Sequence, residues 1–186
     1  FSGVLAASIV AVYQTNVRRL LAYSSVAQIG YIMIGIALPS QQGLTGAIIH
    51  LFNHGLMKAA LFAAIGAVAL KTGDVSLRRL SGIAKQMPLT MAAFIVATLS
   101  LIGIPGTVGF ISKWYLLLAV LETPGFLGIL GAISIIGGSL LSVIYMWRIV
   151  EVAYFENPEA PASQIKEAPW PTLVTIWTLS GLCIVF

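Results

Sequence analysis

The sequence predicts an all-α fold, a polytopic transmembrane helix bundle with one discontinuous helix broken at Pro105-Gly106. Three observations carry that expectation. The chain is 59% hydrophobic and only 9% charged, whereas soluble domains carry about 25% charged residues. Its apolar residues fall in runs long enough to cross a bilayer as helices, and none alternates with the period of two that barrel strands require. One run is too long for a single straight crossing, and Pro105-Gly106 interrupts it.

Six apolar segments follow in order. Phe1 to Tyr13 is the first. The sequence has no initiator Met and both ends fall inside apolar runs, so it reads as an internal piece of a longer polytopic chain. Leu20 to Leu38 is ended by Pro39 and the turn-forming Ser40-Gln41-Gln42-Gly43. Leu44 to Leu70 is the third, and Leu89 to about Leu121, with its break, the fourth. Gly125 to Val150 is the fifth, and the sixth begins at Leu173. Between the third and fourth, Val75 to Met87 has Leu77, Leu80 and Ile83 at helical spacing opposite Arg78, Arg79 and Lys85. That pattern suits a short interfacial helix or a plain basic loop. The stretch ENPEAPASQIKEAPWP after the fifth segment, rich in Pro and acid, reads as a solvated linker or a contact for another subunit.

The net charge of +4 could point to nucleic acid or anionic lipid, but the placement of the charges points to topology. Eight Lys and Arg sit on or at the edge of alternate connections: Arg18 and Arg19; Lys71, Arg78, Arg79 and Lys85; Arg148, two residues from the end of the fifth segment, and Lys166. Positive charge collects on the cytoplasmic side of membrane proteins, so these three connections are expected on one side, and no nucleic-acid partner is expected.

The remaining two Lys/Arg residues lie deep inside apolar segments. Lys58 is about thirteen residues from either end of its segment, roughly 20 Å of helix, too far for its side chain to reach the interface. An ionisable residue at membrane depth is functional by default. His50 and His54 precede it at steps of four, near one helical face, and imidazole both accepts and donates protons near neutral pH. Lys113 follows Pro105-Gly106 by about two turns, and a broken membrane helix exposes helix ends to a polar cavity. His50, His54, Lys58 and Lys113 are therefore the candidate proton relay, with Pro105 and Gly106 as the helix break.

Ser24, Ser25, Gln28, Asn53, Ser100, Ser112, Ser134, Ser139 and Ser142 read mainly as helix contacts, some able to line a file of water. Tyr13, Tyr23, Trp114, Trp147 and Trp170 read as interface aromatics. His50 and His54 have the spacing of a zinc helix, but no Glu follows His50 and no third ligand is evident, so no metal is assigned. Cys183, the one cysteine, reads as a small core residue. With no Gly-rich phosphate loop, nucleophile elbow or flavin or nicotinamide motif, no cofactor is expected.

Three stretches together resemble one family. TNVRRLLAYSSVAQIGYIMIG is similar to the T-(D/N)-(I/V)-(K/R)-R-L-(L/I)-A-Y-S-(S/T) segment of proton-translocating antiporter-like subunits. HLFNHGLMKAALF resembles their H-x3-H-x3-K-A-x-L-F helix, and GIPGTVGFISKWYLL resembles their segment ending G-F-x-(S/G)-K. The family comprises large membrane subunits of respiratory complex I, Mrp-type cation/proton antiporters and membrane-bound hydrogenases. The form FISKWYLL most resembles the MrpD-type antiporter protein or the smallest antiporter-like subunit of complex I.

The resemblance implies that Lys58, His50 and His54 belong to a central hydrophilic axis and that Lys113 is the ionisable residue of the second discontinuous helix. Arg18 and Arg19 match a structural basic pair. The family also uses a Glu and further Lys on earlier helices, which this sequence does not contain. Residues 1–150 would then be the later part of a proton-translocating domain, 151–172 a loop and 173–186 the start of a further transmembrane helix. The implied function is translocation of protons, or exchange of protons for sodium, by an integral subunit lodged among other membrane subunits, as in NADH:quinone oxidoreductase. The expected membrane is a bacterial or archaeal inner membrane. Such a subunit has no redox site of its own and is an enzyme only as part of its complex. Two other readings remain open: a stand-alone Mrp-type Na+/H+ antiporter subunit without a redox partner, and a non-transporting scaffold in which Lys58 and Lys113 could be neutralised without loss of flux.

Overall fold

The computed structural model describes residues 1–157 and 166–184. Among these residues seven α-helices run α1 (Ser2–Val12), α2 (Val17–Ala37), α3 (Gln41–Thr72), α4 (Pro88–Ile102), α5 (Val108–Leu121), α6 (Phe126–Phe155) and α7 (Trp170–Gly181). Local signals set most of the boundaries. The Asn16 side chain accepts from the Arg18 and Arg19 N–H groups to start α2, and Ser40 accepts from Gly43 N–H to start α3. Pro88 opens α4, where its missing N–H is no loss. Gly73 and Gly103, both left-handed, close α3 and α4.

α2, α3 and α6 are each long and apolar enough to cross a membrane alone. α3 has 32 residues, about 48 Å of helix, and so outreaches a hydrocarbon core of about 30 Å. The expected fourth segment is divided as predicted, into α4 of 15 residues and α5 of 14. Pro105 and Gly106 lie within the break, but α4 has already ended at Ile102, two residues before the proline's own neighbour can constrain it.

α3 is the hub, packing on α2, α4, α5 and α7. Its register against α2 is antiparallel: Gly35 lies beside Gly43 and Ala47, Gln28 beside His50, and Leu21 and Ser24 beside Lys58. The outward faces of α2 and α6 remain apolar, with Ile29, Met33, Ile36, Ile129, Ile133 and Leu140 exposed, as lipid-facing surfaces are.

The three connections expected on one side do meet at one end of the bundle. Val17 N–H donates to Val75 O and Leu77 N–H to Thr15 O, tying the first to the second. Arg148 donates to the Val12 and Gln14 carbonyls at the end of α1. The Ser81 hydroxyl donates to Glu156, and Glu167 accepts from Leu89 N–H and the Thr90 hydroxyl. In this solvated end Asp74 organises its own turn. The Ser76 hydroxyl, then the Ser76 and Val75 N–H groups, hold its carboxyl below the usual carboxylate range.

Two expectations need correction. Val75 to Met87 is not one interfacial helix but two 3₁₀ turns, Arg78–Leu80 and Ile83–Lys85, set at 106° to α4. Leu77, Leu80 and Ile83 are buried in the protein core, not turned to lipid. Their strict spacing of three is the 3₁₀ period, and Gly82 at φ 67° separates the turns. The sixth segment starts earlier than Leu173, at Trp170, and α7 stops at Gly181. Cys183 O then accepts from Val108 N–H, and Ile184 bridges Thr107, so this segment docks onto the α4–α5 break. The acidic linker at 158–165 lies outside the described residues.

Candidate functional site

Lys58 is 7% exposed although it sits in the middle of α3. Its Nζ donates to Leu21 O at 2.8 Å and to the Ser24 hydroxyl, both on α2. The Leu21 carbonyl also accepts from the Ser24 and Ser25 hydroxyls, at 2.9 and 3.1 Å. α2 can supply these groups because Ser24, Gln28 and Tyr31, at steps of four and three, share the face that meets α3.

His50, two turns before Lys58 on α3, is fully buried. Its Nδ1 lies 2.8 Å from Ser112 Oγ on α5 and its Nε2 2.9 Å from Gln28 Oε1 on α2. The Tyr31 ring meets it edge-on at 5.6 Å. Ser112 Oγ also lies 3.1 Å from Gly109 O and 3.4 Å from Val108 O, so its one proton has backbone acceptors besides the ring. With that proton on Gly109 O and the Gln28 oxygen facing the ring, His50 donates from both nitrogens and is the imidazolium. Turning the Ser112 hydroxyl toward Nδ1, or turning the Gln28 amide over, leaves the neutral ring. Two side-chain rotations thus distinguish the imidazolium from the neutral ring.

His54 is half-buried, and its buried Nε2 has no hydrogen-bond partner among the described residues. Asn53 beside it donates to Val108 O at 2.7 Å, pinning the first residue of α5 to α3.

The break itself supplies donors to three of the four carbonyls at the end of α4 and packs α5 against the fourth. Leu99 O accepts from Gly103 and Ile104 N–H. Ser100 O lies against Gly109, where a Cβ would sit 1.8 Å from it. Leu101 O and Ile102 O accept from Lys113 Nζ, at 2.8 and 3.0 Å. Lys113, 6% exposed, therefore reaches back across the break and caps α4, as cations do at helix C-termini. Its Nζ stands 5.2 Å from the centre of the Tyr31 ring, the ring that also meets His50. A pocket of about 270 Å³ opens beside it, lined by Ile102, Gly103, Lys113, Trp114, Ser139 and Val143 among others. Its lining is mostly apolar, unlike the polar cavity that the sequence suggested.

So the structure joins His50, Gln28, Ser112 and Lys113 around the Tyr31 ring, and sets Lys58 with Ser24 one turn away on the same face of α2. Gln28 and Ser112 appear in the sequence only as two polar residues among many. Tyr31 carries a signal, three residues after Gln28 on the same face. Tyr145, which α6 brings up to Ser24 and Gln28, carries none.

Residues 1–144 match the family described as NADH:quinone oxidoreductase/Mrp antiporter, TM. The chain belongs to that family. It is an integral membrane protein of the antiporter-like type found in such complexes. NADH-quinone oxidoreductase subunit N of Desulforudis audaxviator (strain MP104C) is 44% identical over 170 residues, 91% of this chain and 33% of that protein. In the solved structure of an archaeal membrane-bound sulfane sulfur reductase, one chain is 34% identical at a TM-score of 0.89, with 97% of this chain and 30% of that one covered. In the Mrp complex from Dietzia sp. DQ12-45-1b the values are 29% and 0.87, with 98% and 41% covered. The chain spans about a third of the length of the curated relatives it matches.

Proposed function

We propose that this chain carries part of a proton path across an energy-transducing membrane, as an antiporter-like subunit seated among other membrane subunits in a complex of the NADH:quinone oxidoreductase kind. The observation that carries the proposal is the pair of buried lysines whose hydrogen-bond acceptors are neutral oxygens. An amine with no carboxylate bonded to it is free to hold or release a proton, which a structural ion pair would prevent. His50, between them, passes protons by the rotations of Ser112 and Gln28, and His54 serves as a side station on the same helix.

The test is proton flux in vesicles reconstituted with the full-length protein in its complex. Lys58→Ala and Lys113→Leu should each lower flux by about 100-fold or more, the scale of losing a positioned proton-transfer group, with assembly intact on a native gel. Lys58→Arg should also impair it, because guanidinium stays protonated. Normal pumping by both Lys58→Ala and Lys113→Leu would overturn the proposal in favour of a scaffold. Sodium-coupled flux from a complex without quinone reductase activity would point to Mrp-type exchange.

A further inference from the structure

We infer that the Tyr145 hydroxyl on α6 is the proton-passing link between Lys58 and His50. This rests on the proposed relay. Lys58 and His50 are two turns apart on α3, about 12 Å along the helix axis, and do not touch. Each is instead hydrogen-bonded to a different rung of α2: Lys58 to Ser24, and His50 to Gln28, one turn further on. Something must connect the rungs.

Tyr145 is fully buried, and its hydroxyl lies close to the side chains of both Ser24 and Gln28, with Ser142 of its own helix beside it. None of these contacts meets the geometry of a formed hydrogen bond, so the hydroxyl is a buried polar group without a partner among the described residues. Buried polar groups are almost always satisfied, so a buried hydroxyl set between the two rungs that hold Lys58 and His50 calls for a role. A residue needed only for packing would be phenylalanine.

The step balances without any other reactant. The Lys58 ammonium gives a proton to Ser24 Oγ as the Ser24 hydroxyl turns from Leu21 O to Tyr145 and passes on its own proton. The phenol oxygen accepts that proton and, once the Gln28 oxygen has turned off His50 Nε2, releases its own to that nitrogen. Lys58 is left neutral and His50 becomes the imidazolium. A small swing of the phenol between Ser24 and Gln28 resets the link. At rest the Ser24 proton lies on Leu21 O and that of Ser142 on Ser139 O, so rotation of the Ser24 hydroxyl from Leu21 O to Tyr145 opens the link. This route runs along α2 and α6 and bypasses His54.

The test uses the full-length protein in its assembled complex, in vesicles, with Lys58→Ala measured alongside. Tyr145→Phe removes one oxygen and keeps the ring. It should lower proton flux about tenfold, less than loss of a titrating group because water can partly bridge the gap, with assembly and thermal stability unchanged. If Lys58→Ala is inactive and Tyr145→Phe pumps at the normal rate, the link is wrong and the relay stands. If Lys58→Ala pumps normally, the relay fails and the link with it. Should Tyr145→Phe not assemble, 3,5-difluorotyrosine at position 145 keeps shape and hydroxyl but makes the phenol more acidic. The dependence of flux on pH should then shift, and an unchanged profile overturns the link.

Discussion

Lys58 and Lys113 face the same problem and solve it with different backbone. Both are buried, and both place Nζ 2.8 Å from a carbonyl of another helix. Lys113 uses carbonyls that a broken helix leaves free, Leu101 O and Ile102 O, and in return caps them. Lys58 uses Leu21 O in the interior of an unbroken helix, where the carbonyl already has its own ladder and two serine hydroxyls. At the break, lysine and backbone depend on each other. At the unbroken helix, the backbone survives without the lysine. The break is therefore a structural joint as well as a proposed proton site, whereas the Lys58 site is separable from the fold.

The largest test of that difference is Gly109→Ala. A Cβ there would lie 1.8 Å from Ser100 O and 2.8 Å from its carbonyl carbon, so α5 must move off the end of α4. Overpacking a tight contact costs about 1–3 kcal/mol, and more when, as here, backbone is struck. The variant should fail to assemble or lose flux altogether, seen as loss of the complex on a native gel. A well-assembled, active Gly109→Ala would mean that the joint is loose.

Next comes the direct contrast. Lys113→Met removes the only donor bonded to the Leu101 and Ile102 carbonyls among the described residues and should destabilise by about 1–3 kcal/mol. Lys58→Met leaves Leu21 O served by Ser24 and Ser25 and should cost less than about 1 kcal/mol. Both should abolish flux. Thermal unfolding of the full-length complex in detergent reads the difference, and equal losses would erase the distinction between joint and site.

The histidines repeat the contrast on a smaller scale. His50 has both nitrogens engaged, by Ser112 and Gln28, while His54 has a buried Nε2 with no partner among the described residues. His50→Ala should lower flux by about 100-fold and His54→Ala by only a few-fold. Vesicle assays of the two single variants decide it. A greater loss at His54 would return the path to α3 alone.

How much of this was legible depends on where the information lies. The period of four that sets His50, His54 and Lys58 on α3 is local, as is the pairing of Pro105-Gly106 with Lys113, so both can be read from residues in order. The polar stripe of α2 is local too, but its meaning depends on the antiparallel register that brings Gln28 to His50, and register between helices is a tertiary fact. Tyr145 sits in the apolar run LLSVIYMWRIV, where nothing distinguishes it from a core aromatic. In the 75–87 loop, three apolar residues at a spacing of three fit an α-helical face or a 3₁₀ turn, and only Gly82 between them hints at the outcome.

The smallest effect concerns Pro105, the residue that the sequence marks most plainly as the breaker. Were the proline holding the helix open, Pro105→Ala would let α4 run on into α5 and withdraw the carbonyls from Lys113. The structure assigns that task elsewhere. α4 ends at Gly103, whose φ of 93° already turns the chain away, and Thr107 caps α5 while Cys183 O holds Val108 N–H and Asn53 holds Val108 O. A continuous helix would have to undo every one of these contacts, and removing one proline does not supply the free energy. Pro105→Ala should therefore change stability by less than about 1 kcal/mol, mainly through the unfolded chain, and flux by roughly twofold at most. Gly103→Ala should be worse, because an L side chain is strained at that φ and its Cβ would press on Lys113 Cδ at 3.2 Å. Flux and unfolding temperature for the two variants rank them. A large loss in Pro105→Ala with a silent Gly103→Ala would show that the proline, and not the contacts around it, keeps the helix broken.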